Sequence, residues 1–311
     1  MKVNIVMSTY NGEKYLAEQI ESIRNQTFSN WTLLIRDDGS KDKTRDVIAD
    51  FAKQDSRIHF INPNSTKNLG VIKSFHTLIQ YQRADVYFFS DQDDVWLPDK
   101  LQVTLETAQT YQADQPLMVY TDLKVVNQDL QVMNESMIRS QSHHANTKLV
   151  QELTENTVTG GTSMINHALA ELWTVTDDIL MHDWYLALLA TAFGKLIYID
   201  QPTELYRQHA ENVLGARTVS KRVKKWIRPH VLFSAYWDLI CDSQKQANHL
   251  MALPLAPIDR KLIEAFVTIM DKPILERYQT LKKYGFRKNK AFHTFAFTSL
   301  ILTKFAYKER K

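Results

Sequence analysis

The segment Val86–Trp96 reads VYFFSDQDDVW, an apolar run followed at once by Asp91, Asp93 and Asp94. Three carboxylates this close repel one another unless something cationic sits among them. Mg2+ and Mn2+ prefer oxygen ligands and usually keep waters and phosphates in their shell. Asp91 and Asp93, two apart beyond a strand, fit one such ion. That ion would bridge a diphosphate and neutralise it as it leaves. The competing reading is an acidic surface turn, which the apolar run before it disfavours.

Three further clusters share this placement. Ser8–Leu16, STYNGEKYL, puts short polar side chains and Gly12 at a strand-to-helix turn, where a ligand reaches backbone or an N-cap forms. Arg36–Thr44, RDDGSKDKT, places Asp37 and Asp38 at a strand end. Asp38 suits a nucleobase N–H or a ribose hydroxyl, unless one of the two carboxylates caps the next helix. Asn68-Leu69-Gly70 reads as a turn supporting a nucleotide pocket.

The elements that must position these clusters follow from periodicity. Strands are expected at Lys2–Ser8, Trp31–Arg36, Ile58–Asn62, Val86–Ser90, Leu117–Asp122 and Leu196–Ile199. Helices are expected at Glu13–Asn25, Lys43–Gln54, Val71–Gln82, Lys100–Tyr111, His167–Trp173 and Trp184–Phe193. Alternation with continuously apolar strands predicts an α/β fold, a mostly parallel sheet flanked by helices. Each polar cluster follows a strand, where open α/β sheets bind ligands. Asn127–Lys148 reads as a polar excursion over the site, and Gly160-Gly161 as a tight turn. From Val219 onward the chain reads as helical, basic and aromatic. This divides it into a catalytic region at 1–215 and a helical extension at 216–311.

With 44% hydrophobic and 23% charged residues, the 311-residue chain is that of an ordinary globular protein. Cys241 is its one cysteine, which excludes an intrachain disulfide and fits a reducing compartment. Met1–Met7 lacks the pattern of a secretory leader, and no apolar run has the length of a membrane span. The expected location is the cytoplasm, at the inner face of the cell membrane. Residues 1–216 carry 18 Lys and Arg against 28 Asp and Glu, a net −10, whereas 217–311 carry 20 against 7, a net +13. An acidic body with a basic tail implies an anionic surface as partner of the tail. Ser220–His230 and Tyr284–Lys311 interleave Lys and Arg with aromatics, which suits either an anionic membrane or a helix-packing or homo-oligomer interface.

The ordered set Ser8-Thr9-Tyr10-Asn11, Asp37–Thr44, Asn68-Leu69-Gly70 and Asp91-Gln92-Asp93-Asp94 resembles family 2 glycosyltransferases with the GT-A fold. SDQDDVWLPDK resembles their bacterial rhamnosyltransferase branch, which builds cell-wall polysaccharide. The resemblance spans roughly residues 1–215 and implies an inverting, metal-dependent transfer from a nucleotide-sugar, with dTDP-L-rhamnose the implied donor and a UDP-hexose or UDP-N-acetylhexosamine the rival. The implied acceptor is a polyprenyl-diphosphate-linked or polysaccharide glycan.

It further implies that Thr9, Tyr10, Asn11, Asp38 and Asn68 bind the donor, with Asp91 on its ribose or diphosphate. Arg207 would contact phosphate, and Asp93 and His209 would hold Mg2+ or Mn2+. Gly160, Gly161 and Thr162 would form the acceptor loop, with Asp183 as catalytic base. His182 stands where many relatives carry glutamate. The chemistry agrees: a sugar hydroxyl is a poor nucleophile, and a positioned carboxylate takes its proton during attack. The alternative for Asp183 is an N-cap. A nucleotidyltransferase is disfavoured by the absence of a Gly-rich triphosphate loop. A nucleic-acid-binding role is disfavoured by the acidic body.

Overall fold

The computed structural model describes residues 1–208 and 229–307, apart from the side chains of 229–232. His209, Ser220–Arg228 and Lys308–Lys311 therefore lie outside the described residues. The strands are β1 Val3–Thr9, β2 Trp31–Asp37, β3 Ile58–Phe60, β4 Val86–Ser90, β5 Val95–Trp96, β6 Leu117–Val126, β7 Val132–Asn134, β8 Ser163–Asn166 and β9 Lys195–Arg207. The helices before β9 are α1 Leu16–Arg24, α2 Thr44–Gln54, α3 Val71–Tyr81, α4 Lys100–Ala108, α5 Leu149–Glu152, α6 His167–Leu172 and α7 His182–Phe193. After β9 come α8 Pro229–His249, α9 Pro257–Val267, α10 Ile274–Tyr284 and α11 Ala291–Thr303.

One sheet runs β3-β2-β1-β4-β8-β6-β9-β5, with β7 paired to β6. The first four strands pair in parallel, as do β6 and β9. The pairs β4–β8, β6–β8, β5–β9 and β6–β7 are antiparallel. Most of the paired residues lie in parallel pairs, as expected, and the antiparallel pairs make the sheet a mixed one. The short strands β5, β7 and β8 carry too few residues to show a period, and they supply most of the antiparallel pairing.

Register decides what meets at the sheet edge. Thr9 pairs with Asp37, and Met7 with Ser90, so β1 and β2 end level and β4 ends two residues short of them, at the same sheet edge. β8 runs the opposite way beside β4, with Phe88 opposite Met164. The start of β8, and the Gly160–Thr162 turn before it, therefore reach the same edge.

Side chains alternate between the two sheet faces. Tyr87, Phe89, Met118 and Tyr120 enter one core, while Val86, Phe88, Leu117 and Val119 enter the other. Each fully buried large apolar side chain contributes roughly 1.5–3 kcal/mol. In α7, every residue from His182 to Ala190 is buried, as expected of a helix enclosed on all sides. Trp237, Ile240, Phe266, Phe297 and Leu300 of the late helices share the core of α7 and α3. The two regions expected at 1–215 and 216–311 are thus continuous in packing. No described helix is long and apolar enough to cross a membrane.

Candidate active site

The strand ends assemble the site. Gln92 ties the β4 end to the β1 end: its Oε1 accepts the Tyr10 N–H at 2.8 Å and its Nε2 donates to the Tyr10 carbonyl at 3.0 Å. A Cβ on Gly12 would lie 2.3 Å from Gln92 Oε1, so that crossing needs glycine. Asn11 takes a left-handed φ of 49°, which asparagine tolerates well. Its Oδ1 accepts the Lys41 N–H at 2.9 Å, joining the first two polar loops.

Asp37 is fully buried, and its carboxylate accepts from Thr9 Oγ1 at 3.2 Å, the Ser40 N–H at 3.0 Å and Arg45 at 3.0 Å. Asp38 is also buried; it accepts from Arg36 at 2.6 Å, the Leu69 N–H at 2.6 Å and the Gly70 N–H at 2.9 Å. Asn68 Nδ2 donates to the Asp38 carbonyl at 2.9 Å. Asp38 therefore holds the 68–70 turn in place. Tyr10, Asn11 and Asn68 are exposed on this wall.

The acidic turn is braced from behind by Arg207, which is 2% exposed. Its N–H donates to Asp94 Oδ1 at 2.9 Å, its Nε to the Asp93 carbonyl at 2.9 Å and its Nη1 to the Gln128 carbonyl at 2.6 Å. It also pairs with Glu18 and stacks over the Tyr15 ring at 4.5 Å. Arg207 is thus a buried clamp on the turn that carries Asp93.

Lys100 and Glu204 lie beneath the turn, each with 0% side-chain exposure, joined at 2.5 Å. Lys100 Nζ also donates to the Gly161 carbonyl at 2.5 Å. Sequence reasoning missed this pair. The available signal was position: Lys100 shares the buried face of α4 with Leu101, Thr104, Leu105 and Ala108. A buried lysine at such a place needs a carboxylate. A Cβ on Gly161 would come within 2.7 Å of Glu204 Oε1.

Asp183 sits in the first turn of α7 and is buried; Met181 is the N-cap, so Asp183 is not. Its Oδ1 accepts the Trp184 N–H at 2.6 Å. Removal from water pushes its pKa up to about 7, against hydrogen bonds from the Trp184 and Gly160 backbone. A Cβ on Gly160 would lie 3.0 Å from His182 Nε2 and 3.9 Å from Asp183 Oδ2, so the Gly160 loop lies directly against Asp183. His182 is packed among Phe75, Phe89 and Trp173, and burial drops its pKa to about 3, leaving it neutral. Glu152, also unforeseen, is fully buried, and burial followed by the Asp183 charge drives its pKa well up.

These acids form one electrostatic community. Burial pushes Asp91 up to about 8, reinforced by Asp93, Glu204 and Asp183 and relieved by Lys100. Asp94 is raised by burial and then by Glu204, Asp93 and Asp91. Asp94 Oδ2 and Glu204 Oε1 are buried without a hydrogen-bond partner among the described residues. Carboxylate oxygens left over in a cluster of mutually repelling acids fit a divalent cation. Among the described residues no three His, Cys, Asp or Glu side chains are grouped to hold a metal. That is compatible with Mg2+, which binds through one or two carboxylates plus water and substrate phosphate.

The model of glycosyl transferase family 2 matches residues 4–173. The dTDP-rhamnosyl transferase RfbG of Shigella flexneri is 30% identical over 244 residues, covering 72% of this chain and 82% of RfbG. The UDP-Glc:alpha-D-GlcNAc-diphosphoundecaprenol beta-1,3-glucosyltransferase WfgD of Escherichia coli is 35% identical over 103 residues, 33% of this chain and 39% of WfgD. Among solved structures, S. aureus TarS 1–349 in complex with UDP-GlcNAc superposes with a TM-score of 0.60 at 14% identity, covering 91% of this chain and 80% of TarS 1–349. The strand order and these likenesses give the GT-A fold.

Proposed function

Since the chain belongs to glycosyl transferase family 2, we propose that it moves L-rhamnose from dTDP-L-rhamnose onto a lipid-linked or polysaccharide acceptor, with inversion at the anomeric carbon. The observation that carries the reaction class is Asp183: a buried carboxylate with a pKa of about 7, lying against the Gly160 loop. A base poised near the operating pH both accepts a proton readily and is substantially ionised. The rhamnosyl donor is supported by the likeness to RfbG. WfgD and TarS favour a second reading, in which the donor is UDP-glucose or UDP-N-acetylglucosamine.

In this mechanism Tyr10, Asn11 and Asn68 line the nucleotide, while Thr9 and Asp38 hold their loops in register. Asp91 faces the ribose or diphosphate. Asp93, with His209, would hold Mg2+ or Mn2+, which supplies charge neutralisation to the leaving diphosphate. Arg207 keeps the Asp93 turn rigid. Gly160, Gly161 and Thr162 seat the acceptor so that its hydroxyl meets Asp183. Asp183 takes that proton as the hydroxyl oxygen bonds to the anomeric carbon. The bond from that carbon to phosphate breaks on the opposite side, and its electron pair leaves with the diphosphate. The exposed aromatics and lysines of the C-terminal helices hold the enzyme at an anionic membrane.

A panel of nucleotide-sugars supplied with Mn2+, read by release of nucleoside diphosphate, tests the donor. dTDP-L-rhamnose is expected to turn over fastest. Faster release from UDP-glucose or UDP-N-acetylglucosamine selects the second reading. Absence of release from every donor refutes both.

A further inference from the structure

We propose that the cavity between the 138–151 excursion and α11 seats a phosphate group borne by a lipid, at the membrane end of the acceptor. The proposal rests on the reading of the protein as a transferase acting on a lipid-linked glycan. The cavity has a volume of about 630 Å3, and its walls include His144, Gln151, Arg287, Lys288, Asn289 and Phe295. No carboxylate is among its described lining residues. The Arg287 guanidinium is exposed and has no ion-pair partner among the described residues. Lys288 is buried and donates to the Thr154 carbonyl, which fixes its charge in the wall. Asn289 Nδ2 is a buried donor without a partner among the described residues. Ala291, the first residue of α11, also lines the cavity, so the positive end of that helix adds to the field. Arginine, lysine and spare N–H donors in one concave site suit phosphate oxygens.

Two neighbours decide where that phosphate comes from. Phe295 lines the cavity at 71% exposure, and Phe292, one turn away, is 58% exposed. Exposed aromatic side chains beside a cationic pocket match the boundary between headgroups and acyl chains. Gln151 lines the cavity, and the carbonyl of the next residue, Glu152, accepts Trp184 Nε1 at 2.7 Å. Trp184 follows Asp183, so α5 packs between the cavity wall and the helix that carries Asp183.

The test is flotation of the full chain, its donor site saturated with nucleoside diphosphate. Three vesicle types are used: phosphatidylcholine alone, with phosphatidylglycerol, and with a polyprenyl phosphate. Preferential binding to the polyprenyl phosphate vesicles is expected, falling roughly tenfold in both Arg287→Glu and His144→Glu. Thermal unfolding confirms that both variants fold. Equal binding to the two anionic vesicles overturns the proposal, as does wild-type affinity in both variants. If calorimetry shows inorganic pyrophosphate binding as tightly as the vesicles, with the same loss in the variants, the seat serves a soluble phosphate and the lipid assignment falls. Failure of the transferase reading is visible separately: the wild type would turn over no nucleotide-sugar while still preferring polyprenyl phosphate vesicles.

Discussion

Replacing Asp183 by asparagine should make the protein more stable while removing its transfer activity. The carboxyl titrates at 3.8 in ordinary surroundings and at about 7 here, because burial disfavours its charged form. Between these values the unfolded chain releases the proton that the folded chain keeps. Stability therefore falls as pH rises through this window, and the contribution is fully present only below about 3.8. The difference between those two values is on the order of 4 kcal/mol, lost above pH ~7.5. The amide of the Asp183→Asn variant has no charge to desolvate, so the variant avoids that loss. The charge also presses on Asp91, whose pKa Asp183 helps to raise, and removing it relaxes that neighbour. Urea unfolding of both proteins should show the variant's advantage growing by about 2–3 kcal/mol between about pH 5 and pH 8. An advantage that stayed flat with pH, or a variant less stable at both, would refute a buried carboxylate forced to ionise.

Three further outcomes follow from the geometry. Lys100→Met should cost about 3–5 kcal/mol in urea unfolding by stranding Glu204, and adding Glu204→Leu should restore most of it; a single variant within about 1 kcal/mol of wild type would contradict the pair's burial. Gly161→Ala should lower transfer while nucleoside diphosphate binding persists in calorimetry, because its Cβ meets Glu204 at 2.7 Å; unimpaired transfer would remove the loop from the acceptor site. Asp93→Ala should abolish the Mn2+ dependence of donor binding, and an unchanged metal response would exclude it as a ligand.

Much of the site was readable because it lies at the ends of strongly periodic strands. β1, β2 and β4 each carry an unbroken apolar run, Ile5–Met7, Leu33–Ile35 and Val86–Phe89, and the polar clusters that follow are conspicuous against that background. What the clusters do was less legible. Asp38 reads as a ligand group by type, yet Arg36 and the 68–70 backbone engage its carboxylate. Arg207 reads as a phosphate contact, yet Glu18 and the Asp93 and Gln128 carbonyls engage it. Both depend on partners distant in sequence, which local pattern does not encode. The same holds for Lys100 and Glu204, 104 residues apart. β8 has only four residues, yet its antiparallel direction carries the Gly160 loop to the acidic edge.

The most direct measurement is NMR observation of the anomeric configuration of the first glycoside formed from dTDP-L-rhamnose, in wild type and Asp183→Asn. The configuration should be opposite to that of the donor, with no glycoside formed by the variant. A retained configuration, or near-normal product from the variant, would contradict a single displacement assisted by Asp183.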